Sequence, residues 1–122
     1  MPAKPKAAKL SFDTARKLAL ALPGVEEYTC YGTPAFRVRK KLIARLREDG
    51  DTLVVKIEDS RRELLMQVDP QTYFMEPHYL GYPLLLVRLS RVSEDSLRRL
   101  LEDAWRTLAS KKQLAEFDAE AD

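Results

Sequence analysis

Three runs of period-two alternation follow one another between residues 36 and 57. Phe36 and Val38 alternate with Arg37 and Arg39. Leu42, Ala44 and Leu46 alternate with Lys41, Ile43, Arg45 and Arg47, and Leu53, Val55 and Ile57 with Val54 and Lys56. Successive side chains of a strand point to opposite faces, so such a run buries its apolar half only as a strand. Arg39-Lys40-Lys41 closes the first two runs into a hairpin, and Glu48-Asp49-Gly50-Asp51 has turn chemistry before the third. The pattern predicts an antiparallel meander from roughly residue 28 to 57, around which the rest of the chain must pack.

Helical spacing flanks the meander. Ser11 is placed to cap a helix carrying Phe12, Ala15, Leu18, Ala19 and Leu22, which Pro23-Gly24 stops. Asp59 or Ser60 can cap a short helix with Leu64, Leu65 and Val68, ended by Asp69-Pro70 because the residue before proline disfavours the helical region. Tyr73 to Glu76 reads as a strand, Pro77 to Pro83 as a loop, and Leu84 to Leu89 as the most hydrophobic strand. Ser93 then caps a last helix, where Leu97, Leu100, Leu101, Ala104, Trp105 and Leu108 recur at i, i+3, i+4, i+7, continuing to about Lys111. The expected class is α+β, an antiparallel sheet with helices packed on one face. At 122 residues the chain builds one core. Residues 1–9, with Lys4, Lys6 and Lys9, read as a flexible basic arm, and residues 10–115 as one domain. Residues 116–122, with Glu116, Asp118, Glu120 and Asp122, read as an acidic frayed tail outside the core.

The inventory of reactive side chains weakens most catalytic classes, and the chain reads as a non-enzyme without cofactor or metal. His78, between Pro77 and Tyr79, is the one imidazole, so a Ser-His-Asp or Cys-His arrangement has a single candidate base; it reads as a locally bonded loop residue. Cys30 has no second thiol for a disulfide or metal motif and reads as a core residue. Gly24, Gly32, Gly50 and Gly81 stand apart from one another, which leaves no phosphate-cradling loop. Glu48, Asp49 and Asp51 are explained by the turn they occupy without a cation. The single cysteine, and the lack of an apolar run of membrane-spanning length, lead to an expected cytoplasmic location with no membrane partner.

Charge is informative by position. The total of 21 Lys+Arg against 19 Asp+Glu is nearly balanced, yet Arg37, Arg39, Lys40, Lys41, Arg45 and Arg47 fall within eleven residues without an acid. If Phe36, Val38, Leu42, Ala44 and Leu46 all face the core, then Arg37, Arg39, Lys41, Arg45 and Arg47 all face out, and Lys56 and Arg88 have the same outward parity. These cations, with Lys40, are the expected nucleic-acid-binding residues, contacting DNA phosphates largely without sequence preference. A solvated sheet face must also be polar, and acids from Glu48, Asp49, Glu58 or the tail folding back over the hairpin would remove the patch. The alternative is then a protein-interaction or adaptor domain, self-associating through an exposed sheet edge or the Leu84 to Leu89 region. The aromatics Tyr73, Phe74, Tyr79 and Tyr82 read as packing for their loop; stacking on unpaired bases, or a small-molecule site there, is the lesser alternative.

Several stretches also carry a family likeness. Leu22-Pro23-Gly24-Val25-Glu26-Glu27, Gly32-Thr33-Pro34-Ala35-Phe36-Arg37-Val38 with Lys41 following, Tyr79-Leu80-Gly81, Val87-Arg88-Leu89 and the amphipathic stretch Leu97 to Trp105 together resemble the MmcQ/YjbR-like family of small bacterial proteins, across residues 10–115. The resemblance implies a double-wing α+β sandwich, similar in architecture to the bacterial frataxin homologue, and a DNA-binding role with the wing spanning Arg37 to Arg47. Where family members commonly show Gly-Trp, this chain has Pro83-Leu84, so an indole is missing from any surface it would serve. The frataxin likeness raises iron binding, but residues 11 to 22 hold Asp13 as their one acid, beside Arg16 and Lys17.

Overall fold

Residues 10–121 are described by a computed structural model; the basic arm of residues 1–9 and Asp122 lie outside them. Helix α1 (Phe12–Leu20) leads into strands β1 (Glu26–Cys30), β2 (Thr33–Val38), β3 (Lys41–Leu46) and β4 (Thr52–Lys56). Helix α2 (Asp59–Val68), strand β5 (Tyr73–Phe74), one 3-10 turn (Pro77–Tyr79) and strand β6 (Leu84–Arg88) follow, and helices α3 (Glu94–Leu108) and α4 (Lys111–Ala121) close the order. The strands form one antiparallel sheet in the order β1-β2-β3-β4-β6-β5.

The helices share one side of that sheet. Phe36, Val38, Ile43, Leu53, Val55, Leu85 and Val87 form its inner face and cluster with Ala15 and Ala19 of α1 and Leu97, Leu101 and Trp105 of α3. Leu65 and Met66 of α2, and Leu114 and Phe117 of α4, pack against the same cluster. Helix α3 is begun by Ser93, whose Oγ accepts a hydrogen bond from the Ser96 N–H at 3.1 Å and satisfies one of the helix's free donors. Trp105 anchors the helix: it is fully buried, and its indole Nε1 donates to the Pro23 carbonyl at 2.8 Å. The Pro23-Gly24 stop is thereby tied to the helix that covers the sheet.

Four expectations are corrected. Residues 116–121 are not a frayed tail: the chain breaks at Ala109 and Ser110 and restarts as α4, because Leu114 and Phe117 find apolar surface beside Trp105. The meander begins earlier, since Glu26–Cys30 pairs with β2 as a polar edge strand whose exposed Glu26 and Glu27 hide the alternation. Strand β5 holds two residues, with Pro77 starting a 3-10 turn soon after. Lastly, Arg37 pairs with Leu42 and Phe36 with Ala44, so Ile43 is an extra residue bulged into β3. The bulge resets the parity of the strand: Ile43 and Ala44 are both buried, and Leu42 is left half-buried opposite Arg37.

Candidate nucleic-acid interface

The sheet's other face carries no helix among the described residues, and register decides what lies on it. One row crosses all six strands: Tyr28 opposes Ala35, Ala35 opposes Arg45, Arg45 opposes Val54, Val54 opposes Leu86, and Leu86 opposes Phe74. Directly opposed residues share a face, so an aromatic stands at each end of the row, with Arg45 near its middle over a floor of Ala35, Val54 and Leu86. The floor is 0–2% exposed although no helix covers it. Long neighbours roof it instead.

Those neighbours are arginines lying on aromatic rings. The Arg37 guanidinium carbon sits 4.4 Å from the Tyr28 ring centroid, Arg88 4.1 Å from Phe74, Arg45 5.5 Å from Tyr31 and Arg47 5.9 Å from Tyr79. All four are within the range of cation–π attraction, about 0.5–1 kcal/mol at an exposed site. Burial, and after it the neighbouring Cys30, push the Tyr28 hydroxyl above its ordinary value against the opposing pull of Arg37. The hydrogen bond from Arg47 to Glu76 outweighs its desolvation and holds that guanidinium in its charged form.

Of the expected binding residues, Arg37, Arg45, Arg47, Lys56 and Arg88 lie on this outer face, the last two through the pairs Lys56 with Leu84 and Thr52 with Arg88. Arg39, Lys40 and Lys41 do not join them. Arg39 and Lys40 form the hairpin turn with positive φ of 53° and 65°, and Arg39 Nη1 reaches the helix side to donate to the Leu108 carbonyl at 3.3 Å. Lys41 pairs with the buried Val38 and so lies on the helix side at the sheet's end. The one-faced set of five cations is therefore corrected to three on the face and an exposed basic tip beside the C-terminus of α3.

Carboxylates also intrude. Glu26 meets Arg37 at 3.0 Å, Glu48 meets Arg45 at 3.6 Å and Glu76 meets Arg47 at 3.1 Å. Glu48 was foreseeable from its neighbours in sequence, whereas Glu26 and Glu76 are brought in by strand pairing and by the loop after β5. Five cations against these three acids and Asp49, which is held by the outward Thr52 hydroxyl and interacts with Arg47, leave the face at +1, and the tip adds three cations with no carboxylate partner among the described residues. Arg37 and Arg47 keep 34% and 25% of their side chains exposed, and such pairs contribute about 0–1 kcal/mol, so a phosphate can displace the carboxylate there at little cost; Arg45, 12% exposed and donating to Thr33 Oγ1, is held in place. The other singled-out groups are occupied elsewhere. Asp49 accepts from the N–H groups of Asp51 and Thr52 and from the Thr52 hydroxyl, and Asp51 accepts from Ser90. His78 is exposed and meets Tyr79 edge-on, and Cys30 is half-buried on the edge strand, outside the core assigned to it above. A cavity of about 570 Å³ opens between Ile57, Arg61, Pro83, Leu100 and Ala104, with none of Tyr73, Phe74, Tyr79 and Tyr82 in its lining. No described helix is long and apolar enough to cross a membrane.

The YjbR family model matches residues 20–107. Proteins of Mycobacterium bovis and Mycobacterium tuberculosis, both described as uncharacterized, are 35% identical over 69 residues, covering 56% of this chain and 54% of theirs. The matched stretch thus spans about half the length of those relatives. The crystal structure of a Deinococcus radiodurans protein with a DUF419 domain superposes with a TM-score of 0.74 at 22% identity, covering 91% of this chain and 89% of that one.

Proposed function

The chain belongs to the YjbR family, and on that premise we propose that it is a non-enzymatic nucleic-acid-binding domain. Its binding surface is the helix-free sheet face together with the tip Arg39, Lys40 and Lys41. The observation that carries this reading is segregation: five cations on the sheet face and three at the adjoining tip stand against four acids, in a chain whose net charge is +2. Neutralising phosphates releases counterions, so such a surface gains affinity whatever the sequence bound. The non-enzymatic part rests on the separation of the reactive groups, with Cys30 on one edge strand and His78 following the other. The test is fluorescence anisotropy of labelled oligonucleotides over a salt series. Each phosphate contact contributes roughly 0.7–0.9 to the log–log salt slope, so Arg39→Ala, Lys40→Ala and Lys41→Ala combined should flatten it by about 2 to 3. No binding of any oligonucleotide at low salt refutes the proposal.

One observation favours a protein partner instead. Leu64 and Val68, one turn apart on α2, are 58% and 72% exposed. A chain that stays monomeric at all concentrations and keeps its stability on Leu64→Ser with Val68→Ser removes the self-associating form of that reading.

A further inference from the structure

We infer that the nucleic acid this face takes is single-stranded, with unpaired bases stacking on the arginine–aromatic pairs; the inference rests on the nucleic-acid reading above and specifies the form of the ligand. A duplex offers protein its phosphates and its groove edges, and reading a groove takes an element that projects into it. The helix-free face projects nothing. Its central row runs across the strands from Tyr28 to Phe74, and with strands about 4.8 Å apart it is a strip roughly 24 Å long. Along it the groups that meet a ligand are planes: the guanidinium planes of Arg37 and Arg88, lying over Tyr28 and Phe74, and the ring of Tyr31, whereas Arg45 is 12% exposed and donates to Thr33 Oγ1 at 2.9 Å.

The way the planes are layered matters. Arg37 at 4.4 Å over Tyr28 and Arg88 at 4.1 Å over Phe74 each sit over a ring and are half-buried residues, with 34% of the Arg37 side chain exposed. A guanidinium held in this way is a preformed stacking surface that also carries the charge a nearby phosphate needs, and protein contacts to unpaired bases use such arginine planes as well as aromatic rings. Tyr31 adds a largely exposed ring: it is 85% exposed, sits in the β1–β2 turn with a positive φ of 53°, and meets Arg45 on one side at 5.5 Å. The floor beneath, Ala35, Val54 and Leu86, is small or aliphatic and offers bases no hydrogen-bonding edge, which makes the contact tolerant of sequence. The charge is also of the right size. A face at +1 with a +3 tip is modest for clamping both strands of a duplex, but it suffices to follow one backbone while stacking supplies the remaining affinity.

The test compares fluorescein-labelled dT12, rU12 and a 12-base-pair duplex on the full chain at matched salt. Stacking on one base changes affinity by roughly tenfold, so at least one single strand should bind tenfold or more tighter than the duplex. The dT12 and rU12 arms assign the strand to DNA or RNA. Arg37→Lys and Arg88→Lys keep the charge and remove the plane; together they should weaken single-strand binding about tenfold or more while leaving duplex binding within about twofold. Tyr31→Ala, at an exposed position that the core does not use, should weaken single-strand binding in the same direction. Duplex binding as tight as or tighter than both single strands overturns the inference and leaves the nucleic-acid reading standing, as does an equal loss for both forms in the lysine variants. Failure of all three probes to bind overturns both.

Discussion

Phe117→Ala measures whether the C-terminal helix belongs to the fold. The Phe117 ring is half-buried, with its centroid 5.1 Å from that of Trp105 at a tilt of 60°, and Arg106 covers it from 5.3 Å. Removing a ring that is about half out of water costs roughly 1–1.5 kcal/mol in transfer. The tilted aromatic pair adds about 0.5–1.5 kcal/mol, and the exposed cation–π contact about 0.5 kcal/mol. The expected loss is therefore about 2–3.5 kcal/mol, or a fall in the urea midpoint of roughly 1.3–2.3 M for an m-value near 1.5 kcal/mol/M. Trp105 is the one tryptophan and is fully buried, so its fluorescence follows unfolding directly and should shift to the red in the folded variant as water reaches the indole. Asp118→Asn is the control: it removes the 2.8 Å pair with Arg106 on the exposed side and should cost less than about 1 kcal/mol. A Phe117→Ala loss below about 0.5 kcal/mol with unchanged emission is the behaviour of an ordinary surface position, and would refute the docking of α4.

Three further outcomes are expected. At Asp49, burial opposes ionisation, but the hydrogen bonds from Asp51 and Thr52 outweigh it and hold the carboxyl below its ordinary value. A folded pKa lower than the unfolded one adds stability above the unfolded value near ~3.9 and loses it as pH falls through the folded value. Asp49 is exposed, so solvent screens the effect and Asp49→Asn should cost less than about 1 kcal/mol at pH 7, with the gap from the parent closing below about pH 4 in urea titrations; a constant gap contradicts the assignment. Trp105→Phe leaves the Pro23 carbonyl without its indole donor and should cost about 1–3 kcal/mol in chemical denaturation followed by circular dichroism. Ser93→Ala removes the α3 cap and should lower stability by about 1 kcal/mol, with Ser93→Asp restoring it.

Local chemistry made most elements readable. The alternation at Phe36 and Val38, the Ser93 cap, the Pro23-Gly24 stop and the 3.6-residue spacing from Leu97 to Leu108 each involve residues within a turn or two of one another, and each stands where the sequence places it. The edge strand β1 was not legible, because an edge that faces solvent carries Glu26 and Glu27 instead of alternating apolar residues. The candidate surface was half legible: the run Arg37 to Arg47 marks where cations concentrate, but not that Ile43 bulges or that Glu26 and Glu76 arrive beside Arg37 and Arg47.

By itself the amino-acid order determined an α+β chain with helices on one side of an antiparallel sheet, and a hairpin rich in arginine and lysine. Tertiary structure decided the rest. Whether Ile43 is an extra residue depends on how β3 pairs with β2, and whether residues 111–121 hold a helix depends on Trp105 being there to cover Phe117. Which arginines stay unpaired, and which rings they rest on, depends on a row of residues running from Tyr28 to Phe74 across strands far apart in the chain. Periodicity is a property of neighbours in sequence. Register, docking and charge pairing are properties of neighbours in space, and they become definite only once the sheet has closed and each strand has a partner.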